Sequence, residues 1–344
     1  MRASIVIVTY NHRRHIGCCL AALGPTLGAD DEVLVVDNAS TDGTAEIVAH
    51  HAGVRLQRLA RNVGFGAACN LGARLSRAET LVFLNPDTEP QPGWLDALLR
   101  ALQSGPNMGL VTAKLLLASA PERIDAFGND LHISGIPTCH GWGEPAGQHA
   151  ALEEVAAVSG ACFAVRRDLF TALGGFDERF FLYYEDDDLS LRARLAGWRC
   201  IGVPDAHVVH DHRPGVSPAK LRYLERNRWW SLLKLYQWPT LLALLPVLLG
   251  AELIAWGLAC RSGPRHMAAK AQAWLDLVAW LPALPAARAA ARPHRRLTDA
   301  ALLRLHGPRL PFAQVDPGAL ARLTEVLAHR AFSTGRALAL LSLR

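Results

Sequence analysis

The chain has 344 residues, of which 51% are hydrophobic and 19% charged, with a formal net charge of +5. That balance excludes a disordered or fibrous chain and provides apolar residues for one large domain with an appendage, or for two domains. The mild positive charge suits anionic partners such as nucleotide phosphates or a lipid surface, and falls short of a nucleic-acid-binding footprint.

The opening MRASIVIVTYN is apolar for only a few residues, lacks the pattern of a signal peptide and reads as a strand. From 1 to 115, short apolar runs at 4–8, 32–37, 54–59, 80–84 and 109–115 alternate with helical patterns starting near Arg13, Thr41, Gly66 and Gly93. Continuous apolar strands alternating with helices predict βαβ units, hence an α/β fold with a mostly parallel sheet. Between 118 and 150 Gly, Pro and His are frequent and no period persists, which predicts an irregular insertion over one sheet edge. A strand is expected at 155–165, a loop at GGFDERFF, a helix at 185–197, and two short strands around Pro204 within 198–210.

Composition shifts near Pro218. Lys220, Arg222, Arg226, Arg228 and Lys234 gather around Trp229 and Trp230, followed by the apolar WPTLLALLPVLLGAELIAWGLAC. That run is long enough for a membrane span, but Pro239, Pro246 and Glu252 interrupt it. A second helical pattern at 266–291 carries Trp274 and Trp280. Basic, Trp-bearing amphipathic helices predict contact with a membrane surface. Two domains are therefore expected, 1–217 and 218–344. The seven cysteines form no CxxC pair and read as reduced thiols of a cytosolic chain.

In open α/β sheets, ligands bind beyond the carboxyl ends of the strands. Here those ends carry Thr9, Tyr10 and Asn11, then Asp37 and Asn38, then Asn85 and Asp87. A dinucleotide fold would need GxGxxG after the first strand, where this chain has TYNHRR. NVGFGAACNLG has Gly64 and Gly66 but Cys69 in the place of the last glycine. The GxSxG elbow of hydrolases is lacking. His207, His210 and His212 alternate as a strand rim does, so a dedicated zinc site is not expected there. In FFLYYEDDDLSLRARLAGW the four acids at 185–188 have two readings. They complement the positive end of a helix, each contributing ~0.3–1 kcal/mol, or they serve chemistry. The local sequence leaves both open.

Taken in order, SIVIVTYN, VLVVDNASTDGT, RNVGFGAACNLG, LNPDTEPQPGWL, GACFAVRRDLF, GGFDERFFLYYEDDDLSLRARLAGW and HVVHDH resemble family 2 glycosyltransferases of the GT-A fold. The resemblance spans about residues 3–217. YLERNRWWSLLKLY is similar to the membrane-associated tail of bacterial, often rhamnosyltransferase, members that build surface polysaccharides. It implies an inverting transfer of a sugar from a nucleotide-diphosphate donor to a hydroxyl of a lipid-linked saccharide. The work would be done at the cytoplasmic face of the inner membrane, with no nucleic-acid partner. Thr9, Tyr10, Asn11, Asp37, Arg61, Asn62, Gly64, Asn70, Asn85 and Asp87 would line the nucleotide site. Asp87 is the surviving acid of the family's Asp-x-Asp, whose first member is Asn85 here. With His210 it would hold Mg2+ or Mn2+ beside the diphosphate. The family's Glu-Asp-x-Asp-Leu pattern maps onto 185–189. Asp186 would be the base, Glu185 would hold the acceptor or tune the base, Asp187 would be solvated and Asp188 structural. Gly160 and Ala161 would let backbone approach the donor sugar. Trp142 is expected in core packing, with sugar stacking as the other reading. Two rivals are a nucleotidyltransferase on a related sheet, which would favour a basic glycine-rich first loop, and an inactive sugar-nucleotide-binding scaffold. The acids at Asp37, Asp87 and Asp186 speak against the scaffold.

Overall fold

The computed structural model describes residues 1–211, 215–311, 314 and 319–343, with the side chains of 319–324 and 327 left aside. The chain forms two compact units, each assembled from separated stretches. One comprises Met1–Asn129, Cys139–Ala193 and Trp198–His212, the other Asp130–Thr138, Arg194–Gly197 and Arg213–Arg344.

The strands are β1 Ala3–Thr9, β2 Asp31–Asp37, β3 Val54–Arg58, β4 Thr80–Leu84, β5 Thr88–Pro90, β6 Met108–Leu117, β7 Ala120–Ala126, β8 Asn129–Leu131, β9 Pro137–Cys139, β10 Glu153–Glu154, β11 Cys162–Arg166 and β12 Arg199–His210. The main sheet runs β10-β12-β6-β11-β4-β1-β2-β3, with β5 alongside β12 and β7 alongside β6. The block β4-β1-β2-β3 is parallel. Every residue of β1 is buried, as a strand covered on both faces requires. Thr9 pairs with Asp37 across β1 and β2, so these two polar residues end their strands side by side. The helices of this unit are α1 Ile16–Leu23, α2 Thr44–Ala49, α3 Phe65–Leu75, α4 Trp94–Gln103, α5 Arg167–Ala172 and α6 Glu185–Leu195, whose last two residues belong to the second unit.

The structure departs from the expected elements in three places. Residues 118–150 are not wholly irregular: β7 pairs antiparallel with β6, and β8 pairs with β9. The strand expected at 155–165 forms only at its end, as β11 from Cys162, while the short β10 precedes the expected range at 153–154. The two strands expected around Pro204 are one strand, β12, which keeps its pairing with β6 through a register shift between Val203 and His207. A bulge lets a strand carry a proline without a broken ladder.

The second unit is helical: α7 Pro218–Leu235, α8 Trp238–Ala243, α9 Leu245–Ser262, α10 Pro264–Trp280, α11 Leu284–Ala291, α12 Asp299–Leu303 and α13 Ala319–Ser342. Trp230 stacks edge-on against Trp280 at 5.6 Å, and Trp229 lies 5.2 Å from Trp274. The basic cluster expected to face lipid is largely internal. Arg226, Arg228 and Lys234 are buried, and Arg222 pairs with Asp276 at 2.7 Å. Arg228 donates to Glu225 (2.9 Å), Glu252 (2.6 Å) and the carbonyl of Ser134 (3.0 Å). Lys270, fully buried, bonds both Glu225 and Glu252. Glu252 interrupts the apolar run because it is the counter-ion of Arg228 and Lys270. Burial pushes the carboxyl of Glu225 up, but Arg228 and Lys270 outweigh it and hold it at about 2.

Candidate active site

The first cluster of site residues sits at the ends of β1 and β2. Asp37 is fully buried; its Oδ1 accepts from the Ser40 amide at 3.3 Å, while its Oδ2 makes no hydrogen bond and lies 3.8 Å from Arg58 Nε. A buried carboxylate oxygen whose nearest cation stands beyond hydrogen-bond distance can still accept from a ligand. Asn11 adopts a left-handed backbone (φ 57°) and laces the two loops together, its amide bonding Ser40 Oγ and its Oδ1 accepting from Thr41. Tyr10 beside it is 44% exposed, and Thr9 is buried. Arg61 is exposed at the next loop, where Asn62 Oδ1 accepts from the Gly64 amide.

Gly64 has φ +90°, and a Cβ there would meet the carbonyl oxygen of Phe181 at 2.6 Å, so no other residue fits. The same carbonyl accepts from the Phe65 amide at 2.6 Å. Asn38 fixes this loop from below, donating to the Gly64 carbonyl (3.1 Å) and accepting from Val63 (2.9 Å). Asn70, expected near the nucleotide and sugar, uses both ends of its amide on the loop at 176–178: Oδ1 accepts from Phe176, and Nδ2 donates to the Phe176 carbonyl and Glu178.

The second cluster surrounds Asp87. β12 pairs with β5 so that His210 lies opposite Thr88. His210 Nε2 comes to 3.6 Å from Asp87 Oδ1, and its Nδ1 contacts Asp125 Oδ2 at 2.7 Å. Burial lowers the imidazole, but Asp125 and Asp87 prevail and raise it to about 9. Burial raises Asp87, yet His210 and then His12 bring it below the ordinary value. Asp87 Oδ1 and Asn85 Oδ1 are buried with no hydrogen-bond partner. An imidazole oriented by Asp125, with the Asp87 and Asn85 oxygens beside it, is a donor set that fits a divalent cation, which would take the place of the proton His210 holds toward Asp87. Asp125 was not visible in the sequence, because β7 lay within the segment that looked irregular.

The third cluster is the acid run. Phe176 packs on Phe83 (5.1 Å) and Phe170 (5.3 Å), fixing the loop that leads into α6. Phe181, Tyr183 and Tyr184 then take left-handed backbone (φ 65°, 67° and 75°), each costing about 1–2 kcal/mol. This strained entry puts the acids in the first turn of α6. Asp186 Oδ2 accepts from the Gly160 amide at 2.6 Å and from Asn129 Nδ2 at 3.5 Å. A Cβ on Gly160 would meet that oxygen at 2.9 Å. Gly160 therefore holds the carboxylate, and its N–H is not offered to a sugar; the Ala161 carbonyl likewise accepts from Asn85.

Asp187 is buried, not solvated, because Asn129 Nδ2 holds it at 3.0 Å. Asp188 is structural, paired with Arg192 at 2.8 Å. Burial, then the charge of Asp186, drives Glu185 up to about 8; its Oε2 is buried without a partner. Burial also raises Asp186 and Asp187. Of these three, Asp186 receives the most amide N–H donors, which favour its charged form and oppose the effect of burial. Tyr183 lies close enough to both Glu185 and Asp87 for their charges to raise its phenol, after burial. Trp142 is half-buried in a turn and not in the core. His212 lies outside the described residues.

The profile of glycosyl transferase family 2 matches residues 4–174. An N-acetylglucosaminyl-diphospho-decaprenol L-rhamnosyltransferase of Mycobacterium tuberculosis (strain ATCC 25618 / H37Rv) is 33% identical over 243 residues, covering 62% of this chain and 78% of the relative. The chain belongs to glycosyl transferase family 2. Rhamnosyltransferase WbbL of Escherichia coli (strain K12) is 29% identical over 252 residues, covering 65% of this family 2 chain and 93% of WbbL. Among solved structures, S. aureus TarS 1-349 in complex with UDP aligns over 98% of this chain and 91% of its own, at TM-score 0.55 and 17% identity. GalNAc-T7 with UDP, GalNAc and Mn2+ aligns over 67% and 47%, at TM-score 0.56 and 18% identity. At these identities the likeness establishes the fold, which is GT-A-like. The family 2 chain is a glycosyltransferase.

Proposed function

We propose that this glycosyltransferase moves a sugar of the rhamnose class, with inversion, from a nucleoside-diphosphate donor to a hydroxyl of a lipid-linked saccharide. The observation that carries the reading is the acid run at the start of α6. There a carboxylate is held by a backbone amide beside a carboxyl group with no counter-charge. Asp186 is the base: it takes the proton of the acceptor hydroxyl as that oxygen attacks the anomeric carbon and the nucleoside diphosphate leaves from the opposite face. Glu185, protonated, hydrogen-bonds the acceptor and adds no second negative charge. Asp37, through its Oδ2, binds a donor group of the nucleoside, and Tyr10 offers an exposed ring to the base. Asp87 and His210, oriented by Asp125, would hold Mg2+ or Mn2+, which when bound neutralises charge on the leaving diphosphate. The choice of rhamnose is supported by the activities of both relatives, and that of a polyprenyl-diphosphate acceptor by the mycobacterial one.

Residues 1–217 form the transferase domain in this reading and 218–344 the region that meets the membrane. Support for the latter is a row of exposed apolar side chains on α8 and α9: Trp238, Leu242 (70% exposed), Leu245, Leu249 and Leu253 (76% exposed). α9 is long and apolar enough to cross a bilayer, with 28% of it buried, and the same row suits a helix lying in the cytoplasmic leaflet. The test is sugar transfer from a panel of nucleoside-diphosphate sugars, rhamnose donors included, to polyprenyl-diphospho-N-acetylglucosamine in vesicles with Mg2+ or Mn2+. Product from a rhamnose donor alone supports the reading. Hydrolysis or transfer confined to another sugar overturns the donor assignment, and nucleotide binding without turnover makes the chain a scaffold.

A further inference from the structure

We propose that His140, His149 and Glu153 form a zinc-binding site, separate from the Asp87 and His210 centre and sharing no residue with it. One ligand atom from each of the three lies within 4.8 Å of the others. Glu153 bridges the two rings, with Oε1 3.1 Å from His140 Nε2 and Oε2 2.6 Å from His149 Nδ1. Ligands of a tetrahedral zinc ion, at bonds of about 2.0–2.2 Å, stand about 3.3–3.6 Å apart, so sub-ångström side-chain shifts admit the ion. His149 presents its other nitrogen, Nε2, to Glu144 Oε2 at 3.1 Å. A carboxylate on the far nitrogen is the device that fixes the tautomer and aim of a metal-bound histidine.

The turn that presents His149 is held in place. His149 sits at φ 53°, a conformation stabilised here by its surroundings. Those surroundings are specific. Lys114 Nζ donates to the carbonyls of Ala146 (3.1 Å) and Gln148 (2.8 Å), pinning the turn that presents His149. The Phe127 ring supports both imidazoles, at 5.3 Å from His149 and 6.5 Å from His140. Glu153 remains 40% exposed, which gives the ion an entry path and room for a water as fourth ligand. Two imidazole nitrogens and one carboxylate oxygen suit zinc, whereas magnesium and calcium prefer oxygen alone.

The site bears on the acid run through the backbone. His140 exchanges hydrogen bonds with Phe127 (2.9 Å) and Gly128 (3.0 Å), next to Asn129, whose amide holds Asp186 and Asp187. Zinc would tie 140, 149 and 153 into one clasp and so position Asn129.

The test uses the full chain without a histidine tag, dialysed against a strong chelator and then titrated with Zn2+ and Co2+. Uptake of one zinc per chain at submicromolar concentration, with four-coordinate Co2+ visible bands, is expected. His149→Ala should abolish it, and Glu144→Gln should weaken it about 10–100-fold. Should His149→Ala fail to fold, Glu153→Gln, which keeps the side chain's size and removes its charge and one acceptor oxygen, reads the same loss. Absence of submicromolar uptake overturns the proposal. Equal uptake by the Glu153→Gln and unmodified chains does so too, as does a zinc lost on His210→Ala and kept on His149→Ala. Binding is the readout, so the outcome stands apart from whether sugar transfer is observed.

Discussion

Each unit buries a glutamate whose setting is the opposite of the other's. Glu185 in the first unit is raised to about 8, whereas Glu225 in the second is held at about 2. Burial acts upward on both. The difference is the company: Glu225 meets Arg228 and Lys270, while Glu185 meets another acid. A buried acid with its counter-ions is architecture, since its charge is already answered. A buried acid beside a second acid is held ready to exchange a proton.

The largest effect is expected from Asp186→Asn, which should lower transfer ~10²–10⁴-fold and leave nucleotide binding intact, because shape persists and proton acceptance does not. Single-turnover transfer alongside nucleotide titration measures both; near-normal transfer removes Asp186 from the role. In the second unit, Lys270→Met should cost about 3–5 kcal/mol of stability, as breaking a buried ionic network does. Denaturant unfolding measures it. The stabilisation from Glu225 is fully present above about pH 4.5 and is lost as pH falls toward 2, because its folded value lies below the unfolded one. The Lys270→Met deficit should therefore shrink at pH 3, and a constant deficit would mean the lysine acts by packing alone.

Glu185 has the opposite sign. Its folded value lies above the unfolded one, so its effect favours folding least at high pH, declining from about 4.5 to about 8. Glu185→Gln should raise the melting temperature at pH 8 by a few degrees, on the order of 1–2 kcal/mol, and leave it unchanged at pH 4. Melting curves of the two proteins across that range decide the point; parallel curves would show that Glu185 is satisfied in the folded state. The smallest effect concerns the tail. With Arg226, Arg228 and Lys234 buried, high salt should release little of the full-length chain from anionic vesicles. Complete release in high salt would show that exposed charges carry the attachment and that the apolar row on α8 and α9 does not.

The parallel block of the sheet was legible in the sequence because strands covered on both faces are unbroken apolar runs, as 4–8 and 32–37 are. Asp37, Asp87 and the acid run were legible because they stand at a strand's last residue, just past a strand end and at a helix start. Asp125, Asn129, Glu144 and Glu153 were not. They act through pairings such as β6 with β7, which local periodicity does not encode. The basic residues around Trp229 misled for the same reason: a cation reads as exposed until its partner, here Glu252 or Asp276, is seen across the helix pair. Asp187 misled similarly, since Asn129, 58 positions away, is what holds it inside.

The contact between Gly64 and Phe181 ties the loop after β3 to the loop before α6. One loop follows the nucleotide-side strands and the other delivers the acids, and they share a hydrogen bond and leave no room for a methyl group between them. Neither loop shifts without displacing the other. In the proposed reading, a donor that settles the first loop would also set the second, and the acceptor would meet a finished site only after the nucleotide sugar is in place. That reading predicts, in steady-state terms, a compulsory order of addition, donor leading, with the spent nucleotide competing against the donor and not against the acceptor.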